Sequence, residues 1–118
     1  MKERTKEFAL KVVRLYASLP KSVIAQTLGK QVLRSGTSVG AHYREAVRSR
    51  SDAEYISKIE GALQELEESG YWLELLADSG VCQGEAVAAL RREADELTAM
   101  LVACAKKAKS KRGQRTQE

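Results

Sequence analysis

Apolar residues recur every three or four positions through most of this 118-residue chain, and this spacing constrains the fold more than any other feature. Residues spaced in this way share one face of an α-helix, and an apolar face needs another helix to cover it. A single proline and an aromatic content of 5% argue against a sheet protein rich in turns. We therefore expect an all-α protein. Its clearest row consists of Ile56, Ile59, Leu63, Leu66, Gly70, Leu73 and Ala77.

Breaks between the apolar rows divide the chain into four helices. Pro20 ends the first helix, and Ser22 can cap the start of the second. Ser51 and Glu54 form a Ser-x-x-Glu capping box that starts the third helix, and Gly80 follows its end. Amphipathic helices joined by short connections predict an antiparallel up-down-up-down four-helix bundle over residues 1–105.

The positive charge of the chain is concentrated near its C-terminus. The net charge is +4, but residues 106–118 contain six basic residues and one acid, which leaves 14 basic and 15 acidic residues in 1–105. No apolar residue follows Ala108. A segment of this kind cannot bury enough apolar surface to fold. We expect the fourth helix to end near Ala108 and residues 106–118 to form a basic, disordered tail.

Two neighbouring helices of the bundle carry opposite charges. Residues 21–50 contain six basic residues and one acid, whereas residues 51–80 contain eight acids and one lysine. Oppositely charged side chains on adjacent helices attract each other. We interpret this pattern as pairing within one chain, in preference to a separate ligand surface.

A row of polar residues follows a face of the second helix where apolar residues are usual. Buried polar groups need hydrogen-bond partners, at about 1–3 kcal/mol for each group left unpaired. We predict a structural polar cluster against the third helix, with a polar subunit interface or a pocket as the open alternatives. Its members are Gln31, Arg34, Ser35, Ser38, His42, Glu45 and Glu65.

His42 is the only histidine of the chain, and it stands one helical turn before Glu45. This spacing matches half of a carboxylate di-metal site in a helical bundle, but a second histidine pair is absent from the sequence. We expect no metal, no cofactor, no catalytic residue and so no enzyme. A carboxylate metal enzyme around His42 and Glu45 is the weakest alternative.

The sequence has no apolar run long enough to span a membrane, and its N-terminus lacks the core of a signal peptide. Cys82 and Cys104 are too few for a disulfide framework and suit a reducing compartment. We expect a cytoplasmic protein that does not contact membranes.

Basic residues at two places make nucleic acid the favoured ligand. Such cations release counterions from phosphates and bind nucleic acid in a salt-dependent, sequence-independent way. We expect contact with RNA, or with DNA as the second choice; the alternative is a protein-interaction scaffold whose tail only keeps it soluble. The residues concerned are Arg44, Arg48, Arg50, Lys106, Lys107, Lys109, Lys111, Arg112 and Arg115.

The third helix has more apolar surface than a lone bundle needs. A second row beside the main one includes Tyr55, Trp72 and Leu76, and the second helix offers Gly36 and Gly40 for close approach. Apolar surface that a chain does not cover itself implies another subunit. We expect a homo-oligomer with Tyr55, Trp72 and Leu76 at its interface.

The run QVLRSGTSVGAHYREA and the segment ALQELEESGYWLELL resemble a family encoded in intervening sequences of bacterial 23S ribosomal RNA genes, the S23-like four-helix bundle proteins. The resemblance covers about residues 5–105. His42 stands where the family pattern has asparagine, and Ala46 where it has glycine. The matching residues are Gln31, Arg34, Ser35, Ser38, Val39 and Glu45.

This resemblance implies a small cytoplasmic bundle that assembles into a barrel-like homopentamer, with no established enzymatic activity. The family is also similar to the accessory variability protein of diversity-generating retroelements. That protein is a basic pentameric barrel that associates with a reverse transcriptase and RNA. By analogy, the resemblance favours a nucleic-acid role.

Overall fold

Four helices account for most of the chain. The computed structural model describes the backbone of residues 1–117 and the side chains of residues 1–113. Each helix packs against the next in sequence, and the fourth returns to the first, in a body of 58 × 21 × 20 Å. The prediction of an all-α antiparallel four-helix bundle is confirmed, with no strand in residues 1–117. The helices are α1 (Lys2–Ser18), α2 (Val23–Val47), α3 (Asp52–Asp78) and α4 (Glu85–Gln117).

The predicted caps are present at the starts of α2 and α3. The Ser22 hydroxyl accepts a hydrogen bond from the Ala25 N–H at 3.2 Å, and the Ser51 hydroxyl accepts one from the Glu54 N–H at 3.1 Å. The Glu54 carboxylate accepts in turn from the Arg50 N–H at 3.3 Å, one residue before the position that a capping box usually pairs. These bonds satisfy N–H groups that each helix leaves unpaired, and so fix both starts.

Two glycines shape the connection between α3 and α4. Gly80 has a φ of 78° and Gly84 a φ of 115°, a region that residues with a Cβ rarely adopt. The Gly80 N–H donates to the Ala77 carbonyl at 3.1 Å, which closes the last turn of α3. The predicted end of the third helix is therefore confirmed.

The core is formed by the inward rows of all four helices. On α3 the buried row includes Ile59, Leu66 and Leu73, whereas Leu63 and Ala77 are only partly buried. The other large side chains without solvent contact, or almost without it, are Phe8, Val12, Val32, Val39, Leu76, Val87, Leu97 and Leu101.

The prediction that Leu76 lies at an oligomer interface is wrong. Leu76 is 0% exposed within its own chain. The reason is that α3 packs against both α2 and α4, so the two predicted rows of α3 are flanks of one wide buried face. The second row is therefore covered without another subunit at this position.

Glycines on α2 allow α1 to approach closely. A Cβ placed on Gly36 would lie 2.9 Å from Cγ2 of Val12, and one placed on Gly40 would lie 3.2 Å from Oγ1 of Thr5. Both distances are shorter than ordinary van der Waals contact. The close approach predicted for Gly36 and Gly40 is therefore made by α1 of the same chain, and it gives no argument for a second subunit.

Arg4 closes the bundle between α1 and α4. Its guanidinium donates to both carboxylate oxygens of Glu93, at 2.8 Å each, and lies 2.6 Å from Glu96. Hydrogen bonding to Arg4 lowers the pKa of the Glu93 carboxyl. The contact of α1 with α4 is the narrowest among the neighbouring pairs, and this ion pair bridges the two helices.

The fourth helix is longer than predicted. The fourth helix is predicted to end near Ala108, whereas α4 runs to Gln117. Ala105 and Ala108 are buried against the bundle, and the Lys, Arg and Gln residues that follow are good helix formers. The helix end is corrected, while the separation of a basic tail from the bundle stays a prediction. None of the helices in residues 1–117 combines the length and the apolar character needed to cross a membrane.

Candidate functional site

Hydroxyl groups of the predicted polar cluster lie along the seam between α2 and α3. Ser35 and Ser69 are both fully buried, and their hydroxyl oxygens are 2.9 Å apart. Ser35 donates to the Gln31 carbonyl at 2.9 Å, and Ser38 donates to the Arg34 carbonyl at 2.7 Å. Sequence reasoning missed Ser69 as a partner. The available signal was its position on a buried row of α3, where a hydroxyl needs a hydrogen bond.

Ion pairs occupy the outer side of the same seam. Arg34 on α2 lies 3.2 Å from Glu65 and 2.7 Å from Glu68 on α3, and Lys58 lies 2.8 Å from Glu45. Hydrogen bonding to Lys58 lowers the pKa of the Glu45 carboxyl, and hydrogen bonding to Glu68 raises the pKa of Arg34. The predicted attraction between the second and third helices is confirmed as pairing within one chain.

His42 packs across this seam onto a glycine. A Cβ placed on Gly61 would lie 3.1 Å from Nδ1 of His42, so Gly61 leaves the space that the imidazole ring occupies. This nitrogen is buried and has no hydrogen-bond partner among the described residues. Glu45 pairs with Lys58. In the part of the chain that the structure describes, no three His, Cys, Asp or Glu side chains are grouped to hold a metal ion.

The basic residues singled out from the sequence lie at one end of the bundle, where α2 ends, α3 begins and α4 extends outward. Arg50 borders a hollow with Asp52 and Tyr55, and Lys107 and Lys111 border a second hollow that shares these two residues. Cations from the turn and from α4 therefore flank the start of α3. We term this set the basic end: Arg44, Arg48, Arg50, Lys106, Lys107, Lys109, Lys111 and Arg112.

Lys109 and Arg115 differ from the other basic residues predicted to bind nucleic acid. Lys109 lies 3.9 Å from Glu60 on α3, a long ion pair between exposed groups that costs little to break. The side chain of Arg115, which the sequence also predicts to bind nucleic acid, lies outside the described residues. The helix α4 continues past the start of α3, beside which Lys107 and Lys111 lie.

Tyr43, Tyr55 and Cys104 lie together beneath the basic end. Burial raises the pKa of Tyr43 and of Tyr55, and the neighbouring Cys104 adds to both shifts. Tyr55 is thus half-buried against α4 of its own chain. Its place at an oligomer interface stays a prediction.

Exposed or half-buried apolar residues lie along the seam between α2 and α3, in the half of the bundle away from the basic end. Trp72 is half-buried and meets Tyr71 edge-on, with ring centroids 5.2 Å apart. Tyr71 is 54% exposed, and both aromatic residues line a shallow groove with Gln31. Ile24 stands two turns before Gln31 on the same row of α2 and is 61% exposed. We term Ile24, Tyr71 and Trp72 the apolar strip.

Comparisons with known proteins agree with this geometry. The sequence profile of the 23S rRNA-intervening sequence proteins matches residues 1–103. A crystal structure of a protein of unknown function from the S23 ribosomal protein family of Bacteroides thetaiotaomicron shares 37% sequence identity, with a TM-score of 0.83. The similarity covers 89% of this chain and 97% of that chain. No curated protein matches the chain. The resemblance inferred from the sequence is confirmed, and this chain belongs to the family of 23S rRNA-intervening sequence proteins.

Proposed function

We propose that this protein is a non-enzymatic, homo-oligomeric binding protein that contacts nucleic acid, RNA first, through its basic end. The observation that carries the proposal is the gathering of arginines around the end of α2 and lysines of α4 at one end of the bundle. Cations on one surface release counterions from a polyanion together. The descriptions of the family and of the solved relative refer to 23S rRNA and to S23 ribosomal proteins, which makes RNA the first polyanion to test.

The chemistry of the seam between α2 and α3 supports a binding role over an enzymatic one. In the seam between α2 and α3, Ser35 pairs with Ser69 and Glu45 with Lys58, while Nδ1 of His42 has no partner among the described residues but is buried away from solvent. Arg34 is held between two glutamates. Groups that are paired in this way serve the packing of the two helices and are not poised to act on a substrate.

The oligomeric part of the proposal rests on the apolar strip. Ile24 and Tyr71 are large side chains that one chain leaves exposed, and a second copy can cover them. Assembly of several copies places several basic ends on one particle, which multiplies contacts that are weak one by one. The family resemblance implies five copies.

Titration of a labelled hairpin RNA across a salt series tests the nucleic-acid part. A tail-neutral variant combines Lys106→Gln, Lys107→Gln, Lys109→Gln and Lys111→Gln, and keeps helix-forming residues in α4. We expect the plot of log affinity against log salt to lose about 0.7 of slope for each single-strand phosphate contact removed. Arg14→Gln, an exposed cation away from the basic end, is the control.

Absence of binding at low salt, or an unchanged slope in the tail-neutral variant, would count against this function. The alternative is a scaffold for a protein partner. A partner retained from a nuclease-treated lysate, by a protein that binds no RNA, would favour that alternative over the proposal.

Light scattering of Ile24→Glu tests the assembly. This change puts a charge on the apolar strip without touching the core, so we expect a smaller mass and an unchanged helical spectrum. Thr27→Glu, at a neighbouring exposed position of α2, is the control. A monomeric wild-type protein at about tens of micromolar would contradict an interface of ordinary size.

A further inference from the structure

A groove along the outer seam between α1 and α2 carries three positive charges against one acid. It has a volume of about 570 Å³ and opens at the same end of the bundle as the C-terminus of α2. Small residues form much of its lining, and three cations stand along it. The lining comprises Lys6, Ala9, Thr37, Gly40, Ala41, Arg44, Glu45 and Arg48.

The cations of this groove form no ion pair with a described side chain, unlike Arg4 and Arg34, although Arg48 acts on the Glu45 carboxyl through its charge. Among the described side chains, no carboxylate lies within ion-pair distance of Lys6, Arg44 or Arg48. By contrast, Arg4 and Arg34 are each held by two glutamates. The acid that lines the groove, Glu45, is drawn away to Lys58 on α3 at 2.8 Å.

The arrangement of these cations suits an extended polyanion better than a small anion. Arg44 and Arg48 stand one helical turn apart, about 6 Å along α2, and Lys6 faces them from α1. Like charges held this close repel each other, and an anion between them relieves the repulsion. Ala9 and Ala41 are too short to keep a ligand backbone away from the groove.

We infer that the groove between α1 and α2 binds the sugar-phosphate backbone of a nucleic acid, with Lys6 as a contact residue. This inference rests on the proposed function and extends the basic end along the seam between α1 and α2: Arg44 and Arg48 belong to both, and Lys6 is the added contact residue. The groove and the α4 lysines then hold two parts of one nucleic acid at the same end of the bundle.

The experiment measures hairpin RNA affinity across a salt series for full-length variants. Lys6→Gln should reduce the slope of log affinity against log salt by about 0.7 for a single-strand contact, or about 0.9 for a duplex contact. Thr37→Glu places a carboxylate in the groove at an exposed helix position, and should weaken binding at low salt by about tenfold. Lys21→Gln, in the exposed connection between α1 and α2, removes the same charge far from the groove.

The outcomes separate the groove from the proposed function. If the tail-neutral variant loses slope while Lys6→Gln and Thr37→Glu bind as the wild type does, the groove inference is overturned and the function stands. An equal loss in Lys21→Gln assigns the effect to net charge and also overturns the inference. If wild-type protein does not bind the RNA at low salt, both proposals fail. Helical spectra of the two groove variants exclude unfolding as the cause of any loss.

Discussion

Replacement of Gly36 by alanine should destabilise the bundle, although alanine is the better helix former. At an open helical position, glycine to alanine favours folding by about 1 kcal/mol. At Gly36, however, the new Cβ would lie 2.9 and 3.0 Å from the two γ-carbons of Val12 and 3.3 Å from its Cβ. Val12 is fully buried and β-branched, so it cannot rotate away without strain. Overpacking of this kind costs about 1–3 kcal/mol.

The net effect of Gly36→Ala is therefore a loss of about 1 kcal/mol, or a fall in Tm of about 4 °C for a domain of this size. Gly70→Ala is the matched control, because nothing beyond the neighbouring backbone of α3 lies within 4 Å of a Cβ at that position. It should raise stability by about 1 kcal/mol. Urea unfolding followed by far-UV circular dichroism, at one protein concentration, measures both.

A double variant isolates the contact between the two helices. Val12→Ala removes the γ-carbons, so adding Gly36→Ala to it should no longer carry the overpacking cost. If Gly36→Ala stabilises the wild-type background as much as Gly70→Ala does, the close approach of α1 and α2 does not constrain residue 36. That result would refute the reasoning.

Three further predictions follow from burial and charge. Leu76→Glu places a carboxylate in the core and should abolish cooperative unfolding in circular dichroism. Leu76→Ala should lower the free energy of unfolding by about 2–5 kcal/mol. Near-native stability of both variants would contradict the assignment of Leu76 to the core. Arg4 lowers the folded-state pKa of Glu93. The contribution of Glu93 to the stability of the fold is therefore complete above its ordinary pKa of about 4.3, and it is lost as the pH falls through the lowered pKa. Acid unfolding of Glu93→Gln should thus depend less steeply on pH, and an identical profile would argue against the link. Burial raises the pKa of Tyr55, so the folded protein favours the neutral phenol. The contribution of Tyr55 to stability is therefore complete below its ordinary pKa of about 10, and it is lost as the pH rises through the raised pKa. Alkaline unfolding of Tyr55→Phe should move to higher pH, and a midpoint that stays in place would exclude this mechanism.

The fold could be predicted from the sequence because its determinants are local. Pro20 stops α1, and Ser22 and Ser51 cap the helices that follow, each through contacts within a few residues. The end of α4 was not predicted correctly because it depends on whether helix propensity outweighs the lack of apolar contacts. Helix propensity alone carries the backbone beyond Ala108, where the sequence offers no apolar contacts.

The functional surfaces were harder to predict because they depend on which flank of a helix meets which neighbour. Leu76 and Trp72 stand on the same predicted row, yet the first is in the core and the second reaches the surface. Periodicity alone does not separate two adjacent rows on a helix with a neighbour on each side. Lys6 was not singled out from the sequence for the same reason, since helical periodicity does not reveal that it lies across a groove from Arg44.

The extension of α4 has a consequence for how this molecule meets a charged target. Residues 106–112 hold five of the 20 basic residues, while residues 1–105 are close to neutral, so positive charge is displaced towards one end of a body 58 Å long. Such a displacement is an electric dipole along the long axis. The field of a polyanion turns a dipole before contact, so that the positive end leads. Encounters are then productive more often than random collisions, and the association rate falls as ionic strength rises.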